Sequence, residues 1–318
     1  PAASSSLAAG FDNLLQGRRL FDGKKGLTRL PLEGVGFRQK GEKHMNLTDL
    51  EWAVAPEAIL VMALVGLFTA VLPLGLSLYA WRKAKGRWRF FLMGCVVFPL
   101  FALGLEGSIN RAVLYGPWGG RLASNIWIYA LYGGGMAGIF EECGRWCAFR
   151  LGRRWSRGPG DALMYGAGHG GIEAVLLTGT TMLNNIVLSL ALNQGGLQAV
   201  EDMTGPLPET VLAGLAALTT TPASMYLWSG LERLVAVALH VSLSVLVYAA
   251  VRRKRDWPWL AAAIGIHALV DGAAIIASTY LPIPAVEGVA LALTVLTTLL
   301  TGRIFRRLGE EEENERTS

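Results

Sequence analysis

Charged side chains are scarce in this sequence, since Asp, Glu, Lys and Arg together make up only 17% of its 318 residues. Soluble domains carry about 25% charged residues, so the shortage argues against a soluble globular fold. Hydrophobic residues reach 52% and the mean hydropathy is +0.40. Several apolar runs are long enough to cross a bilayer. The composition therefore predicts an integral membrane protein whose first partner is the lipid bilayer.

Cysteine is also scarce. Cys95, Cys143 and Cys147 all lie in apolar segments, which excludes a disulfide framework. Cys143 and Cys147 fall on one side of a helix, where packing is the favoured interpretation and metal binding the less favoured one. The net charge of +5 comes from short Arg/Lys blocks between apolar runs. Such blocks are typical of membrane topology, so we expect no nucleic-acid partner.

The apolar runs predict an all-α fold, a polytopic integral membrane helical bundle with about seven to eight transmembrane helices. Seven spans are clear, and they are expected near residues 56–81, 90–110, 125–149, 161–183 or further, 230–251, 257–280 and 285–304. Residues 184–229 leave three alternatives open. They form an outside loop with short helices, a re-entrant piece, or a poorly marked pair of spans.

Basic blocks indicate which ends of these spans face the cytoplasm. They lie at residues 82–89, 150–157, 252–255 and 303–307. Placing all of them inside predicts a multi-pass protein of the cell membrane with its N-terminus outside and its C-terminus in the cytoplasm.

Three regions follow from this arrangement. Residues 45–308 form the transmembrane domain, and residues 309–318 form an acidic cytoplasmic tail. Residues 1–44 are net basic although the topology places them outside. We interpret them as an extension that precedes a natural start at Met45, or as a poorly ordered tail.

Three of the four histidines, His169, His240 and His267, lie inside apolar segments. Ionisable groups are costly in hydrocarbon, so such residues indicate a functional site. Three pairs also share the i, i+4 spacing that places both members on one helix face. These pairs are Glu141/Arg145, His169/Glu173 and His267/Asp271.

The cytoplasmic ends of the helices can serve as a ruler for depth. Glu141, His169, His240 and His267 each lie about nine to twelve residues from the nearest basic block. At about 1.5 Å per helical residue, all four sit roughly 13–18 Å from the cytoplasmic boundary. Four helices thus bring an ionisable residue to one level, which favours a common site over scattered structural histidines.

Imidazoles and carboxylates at one depth predict a transition-metal site, with zinc as the expected ion. Glu141 or Glu142 is the expected base for a water molecule, and Arg145 supports a carboxylate or a developing oxyanion. The structural alternatives are a helix-end ion pair between the two glutamates and Arg145, and interhelical hydrogen bonds for the histidines. Glu232 and Arg233 are expected to form an interfacial ion pair near the outer end of their helix, with a role in the site as the less favoured alternative. Glu106 and Asn110 are expected to form interhelical hydrogen bonds.

Four motifs in order resemble the YhfC family of intramembrane metallopeptidases. They are Glu-Glu-x-x-Arg, Gly-x-Gly-His-Gly-Gly-x-Glu, Glu-Arg-x-x-Ala-x-x-x-His-x-x-x-Ser and His-x-x-x-Asp, at residues 141–145, 166–173, 232–244 and 267–271. The resemblance covers about residues 57–307. The family is grouped with the type II CAAX prenyl endopeptidases, the PrsW proteases and the multi-span scaffold subunit of gamma-secretase.

The resemblance implies roles for these residues. Glu141 is the general base, supported by Glu142 and Arg145. The implied metal-site residues are His169, His240, His267, Glu173 and Asp271. The gap before Arg145 is one residue shorter than in the prenyl endopeptidases, and Asp271 stands where Asn is common. Prenylated substrates are therefore not implied.

Three functions compete. The first is a zinc-type intramembrane metalloendopeptidase, whose partner is a membrane protein or peptide substrate. The second is a non-catalytic scaffold or chaperone that uses the polar cluster to bind a partner helix, and the third is a metal or small-solute transporter. The paired glutamates favour the enzyme, because a scaffold needs no base. The sequence shows no inverted repeat of the kind that many transporters contain.

Overall fold

The computed structural model describes residues 51–252 and 257–317, where every regular element is helical. The elements are α1 (Pro56–Lys83), α2 (Trp88–Leu114), α3 (Gly119–Ala123), α4 (Ile126–Gly152), α5 (Gly160–Thr204), α6 (Glu209–Thr220), α7 (Ala223–Arg252), α8 (Trp257–Tyr280) and α9 (Ile283–Thr317). The predicted all-α class is confirmed.

Six of the described helices are long and apolar enough to cross a membrane, namely α1, α2, α5, α7, α8 and α9. The expected span at 125–149 corresponds to α4, a helix of 27 residues. It is not among the six, and it carries Glu141, Glu142 and Arg145 in its interior. The count of seven to eight transmembrane helices therefore stays a prediction.

The stretch 184–229, which the sequence left open, is mostly helical. Helix α5 continues through residue 204, with a kink at Gly195 and Gly196, where Gly196 has a φ of 62°. Three of its hydroxyl groups form hydrogen bonds within the helix, since Thr180, Thr181 and Ser189 each donate to the backbone carbonyl four residues earlier. This explains why the helix runs past the apolar segment that the sequence marks.

Helix α7 lies at the centre of the bundle. In its apolar segment 83% of the residues are buried, against 22% in α1, α2 and α9. The outer helices instead expose leucines such as Leu67, Leu92 and Leu299 by about 60% of their surface. This pattern fits a bundle whose outer surface meets lipid and whose centre packs against protein.

Glycines bring α5 into backbone contact with its neighbours on two sides. A Cβ at Gly168 would lie 2.8 Å from the carbonyl carbon of Phe91 on α2. A Cβ at Gly166 would lie 2.5 Å from the Cα of Val241 on α7. Small residues at such crossings allow membrane helices to pack closely.

Two helices contain π-helical turns, at Pro99–Glu106 in α2 and at Val175–Gly179 in α5. Such turns shift the face that a helix presents and often occur near functional sites. The turn in α2 ends at the buried Glu106, and Phe98 just before it packs edge-on against His169, with ring centroids 5.3 Å apart.

The acidic C-terminal tail continues the last helix. Helix α9 extends to residue 317, and Glu312 lies against the end of α7. There Tyr248 Oη donates to Glu312 Oε1 at 3.1 Å, and Arg252 Nη2 lies 3.5 Å from the same oxygen. The predicted extension at residues 1–44 lies outside the described residues, and the division into three regions stays a prediction.

Candidate metal centre

Four helices contribute side chains to one buried polar centre. The residues are Glu141, Glu142 and Arg145 on α4, His169 and Glu173 on α5, His240 on α7, and His267 and Asp271 on α8. At most 4% of any of these residues is exposed. The structure thus brings together every residue that the sequence assigned to catalysis or metal binding, although their roles remain to be tested.

Glu141, His169 and His240 form the inner group. One potential ligand atom from each lies within 4.8 Å of the other two. Glu141 Oε2 is 2.9 Å from His169 Nε2 and 3.8 Å from His240 Nδ1. Glu141 is also 4% exposed, whereas both histidines are fully buried. Glu141 is therefore the residue of this group that keeps a small exposed surface.

Glu142 faces a different set of partners. Its two carboxylate oxygens accept hydrogen bonds from Arg145 Nη1 at 2.6 and 2.5 Å, and Oε1 lies 2.7 Å from His267 Nδ1. The other ring nitrogen of His267 lies 3.5 Å from Asp271 Oδ2. Neighbouring glutamates on α4 thus occupy different surroundings, because consecutive residues of a helix point about 100° apart.

His240 lies between an arginine and a carboxylate. Arg145 Nη2 is 2.9 Å from His240 Nδ1, and Glu173 Oε2 is 2.6 Å from His240 Nε2. A guanidinium group only donates hydrogen bonds, so Nδ1 must be the acceptor. The ring proton then resides on Nε2, which faces Glu173.

Arg233 is closer to the centre than the sequence indicated. The predicted ion pair between Glu232 and Arg233 is present, and it lies inside the protein, since Arg233 is fully buried and Glu232 is 8% exposed. Its position at the membrane interface stays a prediction. Arg233 Nη1 donates to Glu173 Oε1 at 3.0 Å, and its Nε donates to Glu232 Oε2 at 2.6 Å. The sequence contained one indication that Arg233 lies near the centre. It precedes His240 by seven residues, which puts Arg233 and His240 on one face of α7.

Two further residues border the centre. Tyr165 precedes His169 by one helical turn and is fully buried, and its hydroxyl has no hydrogen-bond partner among the described residues. On α2, Asn110 donates to Glu106 at 3.0 Å and accepts from Tyr132 of α4 at 2.7 Å. The predicted interhelical hydrogen bonding of this pair is therefore present through Asn110.

The inner group fits a metal ion chemically. A carboxylate oxygen and two imidazole nitrogens are ligand types that zinc binds in proteins. In addition, His169 Nδ1 is buried without a partner among the described residues, so the orientation of this ring is set through Nε2. Cys143 and Cys147 are free, partly buried and not part of this group.

These features define a multi-pass helical membrane protein with a buried histidine and carboxylate centre. The chain belongs to the YhfC family, since the family model described as YhfC intramembrane metalloprotease matches residues 68–290. It is 35% identical over 225 residues to the uncharacterized membrane protein YhfC of Bacillus subtilis (strain 168). That alignment covers 70% of this chain and 86% of the relative. The resemblance drawn from the motifs is confirmed, and no solved structure shows a significant match.

Proposed function

We propose that the protein is a zinc-type intramembrane metalloendopeptidase that hydrolyses peptide bonds of membrane-associated substrates. One observation carries the proposal: Glu141, which retains exposed surface, lies against two fully buried histidines on other helices. The family's description as an intramembrane metalloprotease supports the same assignment.

In this proposal His169 and His240 would hold the ion, and Arg145 must release His240 Nδ1 for zinc to bind at that nitrogen, because its lone pair accepts from Arg145 in this structure. When bound, zinc supplies a Lewis acid that activates water and polarises a carbonyl group. Glu141 takes the proton of the attacking water and passes it to the leaving amine, which is the work of a general base that then acts as an acid. Its slight exposure is consistent with this role, because a base must be reachable by water.

Glu142 and Arg145 support these groups. Glu142 fixes the guanidinium of Arg145, which in turn donates to His240 Nδ1. His267, Glu173 and Asp271 are placed around the two inner histidines. We propose that these three residues mainly orient the histidines that hold the ion. Direct binding of the metal by any of the three stays a prediction.

The substrates we propose are membrane proteins or membrane-associated peptides. The centre is enclosed by helices whose outer surfaces expose leucines, so a substrate reaches it from within or beside the bilayer. The proposed location is the cell membrane.

Elemental mass spectrometry of the purified full-length protein tests the metal first. We expect about one zinc per chain in the wild type, and loss of zinc in both His169→Ala and His240→Ala. The variant Glu141→Gln separates the two roles of Glu141. A base can be replaced without losing zinc while hydrolysis stops, whereas replacing a ligand releases the ion.

Hydrolysis is measured with a defined peptide library in detergent micelles and H₂¹⁸O, because each new C-terminus then carries ¹⁸O. Asp161→Asn is the control, since Asp161 is a buried carboxylate on α5 at the cytoplasmic end and pairs with Arg87. It should retain both zinc and hydrolysis. No zinc in the wild type at neutral pH with zinc supplied would contradict the proposal.

A scaffold is the second candidate, because the polar groups also bond to one another across helices. Glu142, Arg145 and His240 already link α4, α7 and α8 through His267. A stable, zinc-free wild type whose stability depends on these residues would favour the scaffold that binds a partner helix.

A further inference from the structure

Arg233 occupies the wall of the centre beyond Glu173. It is fully buried on α7, seven residues before His240, and therefore about two helical turns away on the same face. Its guanidinium group donates to Glu173 on α5 and, through Nε and Nη2, to its neighbour Glu232. A buried arginine thus spans two carboxylates at the α5–α7 contact.

Glu173 links this arginine to His240. Its Oε1 accepts from Arg233 Nη1 at 3.0 Å, and its Oε2 lies 2.6 Å from His240 Nε2. The opposite ring nitrogen of His240 accepts from Arg145 at 2.9 Å. The imidazole thus accepts a hydrogen bond from a cation on one nitrogen and has a carboxylate oxygen in close contact with the other, although that contact lacks hydrogen-bond geometry.

We propose that Arg233 is a positioning residue of the metal centre, which holds Glu173 against Nε2 of His240 so that this carboxylate limits the orientation of the ring. The inference rests on the proposed function, because it concerns a histidine assigned to zinc. Neither the family description nor the motif assignment gives Arg233 such a role.

The physical argument rests on directionality. The terminal torsion of a glutamate is broad, so an unrestrained carboxylate rotates easily. The planar fork of Arg233 binds one oxygen of Glu173 and both oxygens of Glu232, which defines where the second oxygen of Glu173 points. Carboxylates behind metal-binding histidines commonly set their tautomer, and replacing such groups costs about 10–100-fold in metal affinity.

A purely structural ion pair is the alternative explanation. It would hold α5 and α7 together without affecting His240. The chain offers a matched control for this alternative, because Arg87 forms a similar fork through Nε and Nη2 onto Asp161, which is also on α5. Arg87→Lys and Arg233→Lys therefore make the same chemical change at two positions along α5, at Asp161 and at Glu173.

The experiment compares the wild type, Arg233→Lys and Arg87→Lys as full-length protein in detergent. Zinc affinity is measured by competition with a chelating dye, and the surroundings of the His240 ring by ¹⁵N spectra of the zinc-free, histidine-labelled protein. Only four histidines contribute signals, and His240→Gln identifies the relevant one. We expect Arg233→Lys to weaken zinc binding by about 10-fold or more and to shift the ¹⁵N signals of His240, because Glu173 is then free to move away from Nε2. Arg87→Lys should change neither.

A second variant covers the case in which Arg233→Lys fails to fold. The double variant Glu232→Gln/Arg233→Gln keeps the net charge of the cluster and leaves Glu173 in place. It should show the same loss of zinc affinity and the same shift of the His240 ¹⁵N signals.

Unchanged zinc affinity and unchanged His240 signals in folded Arg233 variants would overturn the inference, even if their thermal midpoints fall. The two proposals also fail separately. A wild type that binds no zinc refutes the metal centre, whereas the zinc-free spectra still report whether Arg233 controls His240.

Discussion

His267 Nδ1 lies 2.7 Å from Glu142 Oε1, so α8 and α4 meet through an imidazole and a carboxylate that are both fully buried. The same carboxylate accepts two hydrogen bonds from Arg145. Glu142 is thereby bound to partners on its own helix and on another, whereas Glu141 keeps part of its surface exposed. The two neighbouring glutamates should therefore respond differently to the same substitution.

Glu142→Gln should destabilise the protein. The change leaves the buried Arg145 without its anionic partner, and breaking a buried ion pair costs about 3–5 kcal/mol. For a protein of this size, we expect the thermal midpoint to fall by roughly 6 °C or more. Differential scanning fluorimetry in detergent measures the shift. Glu57→Gln is the control, because Glu57 is exposed and should leave the midpoint unchanged. A Glu142→Gln midpoint equal to that of the wild type would show that this pair is dispensable.

Gly168→Ala should disrupt the centre from a distance. Its Cβ would collide with the Phe91 peptide group on α2, with the carbonyl carbon at 2.8 Å, and the adjacent His169 would move with the helix. We expect a lower thermal midpoint and loss of zinc. Gly75→Ala provides the comparison, since nothing lies within 4 Å of its Cβ position and alanine favours a helix by about 1 kcal/mol. Normal zinc content in Gly168→Ala would mean that α2 can move away to accommodate the added methyl group without disturbing the centre.

Zinc should stabilise the protein, because an ion that binds only the folded state shifts unfolding by mass action. At 100 times the dissociation constant the gain is about 2.7 kcal/mol. The thermal midpoint should therefore rise on addition of zinc and fall again with a chelator. In His169→Ala the addition should have no effect. Equal responses in the two proteins would place the bound zinc elsewhere.

Tyr248→Phe should loosen the C-terminal part of α9. The substitution removes the hydroxyl that contacts Ser156 at 2.9 Å and Glu312 at 3.1 Å. Losing these hydrogen bonds should cost about 1 kcal/mol each locally. Trypsin should then cleave faster at Arg306 and Arg307, with peptide mass spectrometry as the readout. Phe149→Leu, a change beside the same ring that keeps the hydroxyl, should leave this rate closer to that of the wild type.

A C-terminal reporter tests the proposed orientation. The basic blocks predict that the end of α9 lies in the cytoplasm, so a green fluorescent protein fused there should fluoresce and a fused alkaline phosphatase should be inactive. The opposite pair of results would reverse the topology, because it would put Arg303 and the other basic blocks outside.

The location of the centre could be predicted from the sequence because helical rise is nearly constant. Counting from the basic blocks put Glu141 and the three apolar histidines at one depth, and the structure gathers them in one place. Counting residues from a basic block gives the depth of a residue in any straight helix that crosses the bilayer. It gives depth along a helix, but not which side of that helix meets protein.

Which side of a helix packs against protein decides the features that the sequence did not reveal. Arg233 was interpreted as part of an ion pair with Glu232, which is present, but its burial on α7 and its contact with Glu173 were not predicted. For residues 184–229 the sequence left three alternatives open, and the structure continues α5 through residue 204. Ser189 there donates to the backbone of its own helix, which hydropathy does not record. Both outcomes depend on tertiary packing or on local hydrogen bonds.

The glycine contacts of α5 also bear on how a polypeptide could enter the protein. Helices that touch through their backbones at Gly166 and Gly168 have no side chains between them that could swing aside. Opening these contacts would require whole helices to separate. We therefore do not expect a polypeptide substrate to enter between α5 and α2 or between α5 and α7. We expect admission on another side of the bundle, the one on which Glu141 keeps its exposed surface.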